Sequence, residues 1–214
     1  MRLWGVELRE LTRLTLDHIY LAGLPLLIGL AMAIPLAWMA LRTRWLYAPL
    51  IAGTSLLYTI PSLALFILLP GILGTQILDS VNVLVAMTLY TIALLTRTVA
   101  DGLGSVPDHV RQAATAMGYS PLRRLFVVEL PLAVPVISAG MRVAAVSNVS
   151  IVSVAALVGV SQLGTLFTDG FNRNVMGPIV LGVIACVLLS VLFDLVILVA
   201  TKAMTPWLSA ARAS

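Results

Sequence analysis

Residues Ser105–Pro131 read SVPDHVRQAATAMGYSPLRRLFVVELP. They form the one polar connection long enough to hold structure of its own, and their pattern predicts two short helices hinged at a glycine. Ser105 is placed to N-cap the first helix, with Asp108 three residues on as the reciprocal side of a capping box. Pro107 sits in the first turn, where its missing N–H costs nothing. Val110, Ala113, Ala114 and Met117 then share one face. Gly118 stands where a left-handed C-terminal residue is expected. Ser120 and Pro121 restart a helix as N-cap and N1, and it runs from Leu122 to Leu130, ending before Pro131. The loop thus presents a small-residue face with Arg123 and Arg124 beside it.

Outward from this loop the chain is built of charge-free stretches: residues 18–41, 45–78, 80–96, 143–168 and 174–193. About 20 apolar residues at 1.5 Å each cross a hydrocarbon core of roughly 30 Å. The stretches predict an all-α integral membrane protein with about five spans, near 19–41, 47–69, 82–103, 130–158 and 178–201. In the second, Pro70-Gly71 supplies the stop and Pro61 kinks the helix inside the membrane. Composition agrees: 60% of the 214 residues are hydrophobic, 10% are charged and the mean hydropathy is +1.06. Soluble globular and disordered chains are both excluded by such values. A single cysteine, Cys186, excludes a disulfide framework and a cysteine-based zinc site. The net charge of +4 comes from one lysine and scattered arginines, so nucleic acid is not an expected partner.

Three units follow: an amphipathic N-terminal segment over 1–17 lying in the membrane interface, a transmembrane domain over 18–203 holding the loop 104–131, and a tail over 204–214. The first apolar run is too long, and its mixed-charge leader too unlike a short basic region, for a cleavable signal peptide. The side that carries Arg42, Arg44, Arg111, Arg123, Arg124, Lys202 and Arg212 outweighs the side carrying Arg2, Arg9, Arg13 and Arg173. The positive-inside bias therefore places the N-terminus outside and the tail in the cytoplasm.

Ionisable and polar groups inside spans invite a role by default. Arg97, Arg142 and Asp194 are read as structural charges, with an Arg97–Asp194 pair expected and Arg142–Asp194 as the competing arrangement. Gly29, Ala33, Ala37 and Ala40 form a small-residue ridge suited to close helix packing, within the chain or across a dimer. His18 is read as an interfacial polar residue and His109 as solvent-facing. No His, Cys or carboxylate grouping has metal-ligand spacing, and no nucleophile or paired-acid arrangement stands out, so an enzyme is not expected.

The loop residues carry a resemblance. Gln112-Ala113-Ala114, three residues, Gly118, nine residues, Val128, one residue and Leu130-Pro131 resembles the "EAA" loop of ABC-importer permeases, where the pattern is Glu-Ala-Ala, three residues, Gly, nine residues, Ile, one residue, Leu-Pro. Every spacing matches, with Gln112 in place of the glutamate and Val128 in place of the isoleucine. The stretches Leu16–Leu21 running into Gly29–Pro35, Tyr58–Phe66, and Ala155–Gly159 with Leu163-Gly164 are similar to permeases for quaternary-amine osmoprotectants. The resemblance implies a MetI-like fold whose coupling helices, through Gln112, Ala113, Ala114, Gly118, Arg123, Leu130 and Pro131, dock on two cytoplasmic ATPase subunits. It also implies a second permease copy or related permease chain, an extracytoplasmic solute-binding protein, and cargo such as glycine betaine, choline, carnitine or proline betaine. The sequence has no Gly-x-x-x-x-Gly-Lys-[Ser/Thr] loop, so no cofactor is expected in this chain and ATP would bind the partner ATPase. For a quaternary ammonium, aromatic faces are the natural contacts; Tyr58, Phe66 and Tyr90 are available, and Tyr58, Pro61, Ser62 and Asn148 are the pathway candidates. An amino-acid permease of the same architecture, such as one for methionine, is the alternative within transport. An ion-coupled secondary carrier is the alternative from another class, though it has no need of such a loop.

Overall fold

The computed structural model describes residues 2–3 and 6–207. A two-residue hairpin, β1 (Arg2–Leu3) with β2 (Val6–Glu7), leads into nine helices among the described residues. These are α1 (Leu8–Arg42), α2 (Arg44–Thr59), α3 (Ser62–Leu73), α4 (Ser80–Gly104), α5 (Asp108–Ala116), α6 (Pro121–Arg124), α7 (Leu130–Val154), α8 (Thr165–Asn172) and α9 (Met176–Met204). A π-helical turn, Leu125–Glu129, joins α6 to α7, and a 3-10 turn, Ala155–Val158, follows α7. Four helical stretches are long and apolar enough to cross a membrane: Leu8–Arg42, Ser80–Gly104, Pro121–Val158 and Met176–Met204. A fifth crossing results if α2 and α3 count as one broken span. The expected spans are thus present, with different ends.

The N-terminal segment does not form a helix of its own. Residues 8–17 are the first turns of α1, and Leu14 is buried against the bundle rather than turned to an interface. Of the expected tail over 204–214, residues 208–214, and Arg212 with them, lie outside the described residues.

The second span breaks rather than kinks, its halves meeting at 101°. Ile60 and Pro61 are both extended, with ψ of 130°. A proline ring drives the preceding residue out of the helical region, so two consecutive residues leave the ladder. The Tyr90 hydroxyl donates to the Ile60 carbonyl at 2.5 Å, which supplies one partner the break removes. Pro70-Gly71 is not the stop. The helix runs on to Leu73 and closes at Gly74 (φ 70°), whose N–H, like that of Thr75, bonds back to the Pro70 carbonyl.

Helix α1 packs along α4, and the small-residue ridge is the seam. Ala33, Ala37 and Ala40 are fully buried, and a Cβ on Gly29 would lie 2.5 Å from Thr91 Cγ2. The ridge therefore works within the chain. On the other side of α4, Gly140 of α7 faces Thr98, and Gly102 faces Ile137. Without water to expel, helices in lipid associate through such close packing and through interhelical hydrogen bonds. Helix α9 covers α7 and α8 but leaves Val183, Val187, Leu188, Val191, Leu195 and Val199 exposed, as a lipid-facing helix does.

The Arg97–Asp194 pair does not form. Arg142 holds Asp194 through two bonds instead, Nε to Oδ1 at 2.5 Å and Nη2 to Oδ2 at 2.8 Å. Arg97 and Asp194 have similar depths, but α9 packs on α7, whereas Arg97 lines an open pocket between α2, α4 and α7.

Gly29→Val forces a branched side chain into the Thr91 contact. The expected cost is about 1–3 kcal/mol, the usual scale for overpacking a tight site, read as a lower thermal midpoint in detergent. Gly29→Ala should cost less when Thr91→Ser removes the opposing methyl and keeps the hydroxyl.

Candidate functional site

The loop between α4 and α7 folds as two helices hinged at a glycine, but its first helix starts differently from the expectation. Helix α5 begins at Asp108 with Pro107 at its N-cap, and no side chain caps it. Val106 precedes a proline, which disfavours helical backbone, so the helix starts only after Pro107. Ser105 closes α4 instead, its hydroxyl donating to the Gly102 carbonyl at 2.7 Å. Asp108 lies 3.5 Å from Arg111. The expected apolar face also divides: Ala114 is buried, while Ala113 and Met117 are exposed together with Gln112 and Ala116. What the loop shows to a partner is therefore Gln112, Ala113, Ala116 and Met117.

The hinge is as expected. Gly118 has φ 83° and a Cβ there would meet nothing within 4 Å, so the glycine serves backbone conformation and not space. Ser120 caps α6, accepting from the Arg123 N–H, with Pro121 at N1. Arg123 stacks over the Tyr119 ring at 4.7 Å.

Helix α6 does not end before Pro131. It passes through the π-turn into α7 without a break, so Leu130 and Pro131 are half-buried at the base of a span. A π-turn widens the backbone by one residue per turn, which relieves the clash between a proline ring and the carbonyl four residues back. The same turn places Glu129 inward, where Arg124 Nε donates to its Oε1 at 2.6 Å. The Glu129 side chain is 7% exposed. Arg124 also donates to Thr115 Oγ1 at 2.8 Å, tying α5 to the base of α7. Arg111 anchors the other side of α5 on the carbonyls of Leu103, Gly104 and Val106, at 2.7–3.3 Å. Neither Thr115 nor Glu129 was singled out by the sequence. A glutamate at the edge of a long apolar run was the available signal.

A second feature is a polar pocket of about 450 Å³ between α2, α4 and α7. Thr54, Ser55 and Tyr58 line it from α2, Arg97 and Asp101 from α4, and Val143 from α7. Tyr58 thus joins Arg97, a grouping the sequence did not anticipate. Its ring is held edge-on to Tyr90 at 5.8 Å between centroids. Pro61 and Ser62 form the break beside this corner: Pro61 is exposed, and Ser62 opens α3. Phe66 is buried in the core.

Asn148 lies elsewhere. It is buried, its Nδ2 donating to the Ala22 carbonyl at 3.1 Å and to Thr91 Oγ1 at 3.0 Å. It ties α1, α4 and α7 together. His18 is likewise held inside the bundle. It is fully buried, with ring nitrogens 3.0 Å from the Val149 carbonyl and 3.0 Å from Gln162 Oε1. Gln162 in turn accepts from the Gly164 N–H, so the segment after α7 is pinned to α1. His109 is exposed on α5.

Residues 26–210 match the model of the family described as the binding-protein-dependent transport system inner membrane component. Among curated relatives, the osmoprotectant import permease protein OsmW of Salmonella typhimurium is 33% identical over 86% of this chain and 86% of its own length. The glycine betaine/carnitine/choline transport system permease protein OpuCD of Bacillus subtilis is 31% identical over 94% of this chain and 86% of its own. Among solved structures, a chain of the MetNI methionine ABC transporter in an inward-facing conformation superposes with a TM-score of 0.80, covering 92% of this chain and 97% of that one at 19% identity. That likeness carries the MetI-like fold. A membrane-spanning bundle with this loop, this fold and these relatives leads to one assignment: the chain belongs to the family of binding-protein-dependent transport system inner membrane components.

Proposed function

We propose that this chain is the permease subunit of an ATP-driven importer for quaternary-amine compatible solutes in a bacterial cytoplasmic membrane. The observation that carries the proposal is the pair of helices α5 and α6, standing out from one end of the bundle with Gln112, Ala113 and Met117 exposed and the left-handed Gly118 between them. The relatives named for osmoprotectants, choline, carnitine and glycine betaine support the cargo class, since choline, carnitine and glycine betaine all carry a trimethylammonium group. On this reading the loop end is cytoplasmic. Connectivity then sets the N-terminal hairpin outside and the end of α9 inside.

Two ATPase subunits, which bind the ATP, sit beneath a pair of permease chains, either two copies of this one or this one with a relative. A solute-binding protein delivers cargo at the opposite end. One relative, the ergothioneine transport permease/ergothioneine binding protein EgtU of Helicobacter pylori, unites both tasks in a chain of which this one covers 26%. When the ATPases close on ATP, α5 moves with the groove that holds it. The Thr115–Arg124–Glu129 linkage passes that displacement to α7, and α7 carries Val143 at the wall of the polar pocket. Gln112, Ala113, Ala116 and Met117 form the docking surface, with Ala114 packed beneath it, Gly118 setting its hinge and Arg123 beside it, and Leu130 with Pro131 roots it in the span.

Purification of the tagged chain in mild detergent should bring a soluble ATPase with it, and Gly118→Trp, which strains the left-handed hinge, should lose that ATPase while the permease still purifies as a folded chain. A well-folded wild type without an ATPase, even after crosslinking, contradicts the proposal. Glu129→Gln should separate the two activities. Cargo import is expected to fall about tenfold, the scale of losing one charge-assisted hydrogen bond, while ATP hydrolysis by the complex persists. An unchanged ratio of cargo moved to ATP hydrolysed would remove the linkage from the mechanism.

A further inference from the structure

The polar pocket between α2, α4 and α7 holds two charges that no other group among the described residues satisfies. Among the described residues, Arg142, Asp194, Arg124 and Glu129 all have ion-pair partners within 2.6 Å. The side chains of Arg97 and Asp101, one helical turn apart on α4, have neither an ion pair nor a hydrogen bond among those residues, and both residues are exposed on the pocket wall. Arg97 lies seven residues inside the end of its span, about 10 Å from the cytoplasmic boundary at 1.5 Å per residue. A charge at that depth has to face water, protein or a ligand, because lipid offers it no partner. The neighbouring hydroxyls of Thr54 and Ser55 donate to the Ile51 carbonyl on their own helix, and neither accepts a hydrogen bond from Arg97 or donates one to Asp101. Tyr58 completes the wall. Tyr90 holds its ring edge-on, and the Tyr90 hydroxyl is itself bonded to the Ile60 carbonyl at the helix break, so an aromatic face is presented in a set orientation.

Taken together, these groups place a guanidinium, a carboxylate and an aromatic face on a pocket of about 450 Å³. We propose that the pocket is a station for a small zwitterion on the translocation path, with Arg97 donating to the carboxylate of the cargo and Tyr58 and Asp101 receiving its quaternary ammonium. A guanidinium forms strong charge-assisted bonds to a carboxylate, and a quaternary ammonium is held by an aromatic face and an opposite charge. With Tyr58 and Asp101 both on the wall that carries Arg97, the cationic end of the cargo has two seats to choose from while the carboxylate stays at Arg97. The proposal rests on the quaternary-amine reading above and adds a distinction within it. The station favours cargo that carries a carboxylate, such as glycine betaine, over a plain cation such as choline.

The test reconstitutes the permease with its ATPase and binding protein in liposomes and measures uptake of glycine betaine and of choline, each at saturating concentration. Arg97→Gln should lower glycine betaine uptake about tenfold, the loss of one charge-assisted hydrogen bond, and choline uptake far less. Arg97→Lys should restore most of the glycine betaine rate. Hydrolysis of ATP stimulated by the loaded binding protein should persist in both variants, which a misfolded permease would not allow. Equal losses for the two cargoes, or no loss for either, overturn the station. A wild type that moves neither cargo overturns the quaternary-amine reading itself, and is told apart because the unaltered complex is then the silent one.

Discussion

The close approach of α1 to α4 is the contact on which the remaining architecture rests. Hydrocarbon gives apolar side chains no reason to leave it, so the bundle is held by backbone proximity and by polar groups that find partners inside. Gly29 lets α1 reach Thr91, and Ala33, Ala37 and Ala40 extend the seam toward the loop end. Thr91 is also where Asn148 arrives from α7 while it donates to the Ala22 carbonyl of α1. Three helices therefore meet at one buried polar knot. Nearer the hairpin, His18 and Gln162 repeat the device and fasten the segment after α7.

With those helices held, the parts that differ are those the packing leaves free. Helix α2 and the break at Ile60–Pro61 lie at the edge of the bundle, where Thr54, Ser55, Tyr58, Arg97 and Asp101 gather around open space. At the loop end, the π-turn lets one helix serve as a docking element and as the base of a span. Its wider turn keeps the chain continuous through Pro131 and turns Glu129 inward to meet Arg124. A stiff connection of that kind carries motion where a flexible linker would absorb it.

Features set by composition and local chemistry were legible from the residues. The charge-free stretches revealed the spans, because crossing hydrocarbon needs a minimum apolar length. Gly118 and Ser120-Pro121 revealed the hinge, because a left-handed residue and an N-cap are local requirements. Azimuth was not legible. Arg97 matched Asp194 in depth, yet which helix faces α9 is decided by packing across the whole bundle. His18 and Gln162 are 144 residues apart, so no window of sequence joins them. Pro61 and Pro131 show the same limit from the other direction. One breaks a span at 101° and the other sits inside a continuous helix, because the π-turn before Pro131 makes room that Ile60 does not have.

The account stands or falls on the loop being the surface that meets the ATPase. In a chain with Cys186 replaced by serine, single cysteines at His109, Gln112 and Ala116 on the loop and at Leu68 and Phe171 at the far end would be crosslinked in native membranes. The account predicts an adduct with the ATPase from the loop positions and none from Leu68 or Phe171. Adducts from the far end, or none from the loop of a permease that still imports cargo, would contradict it.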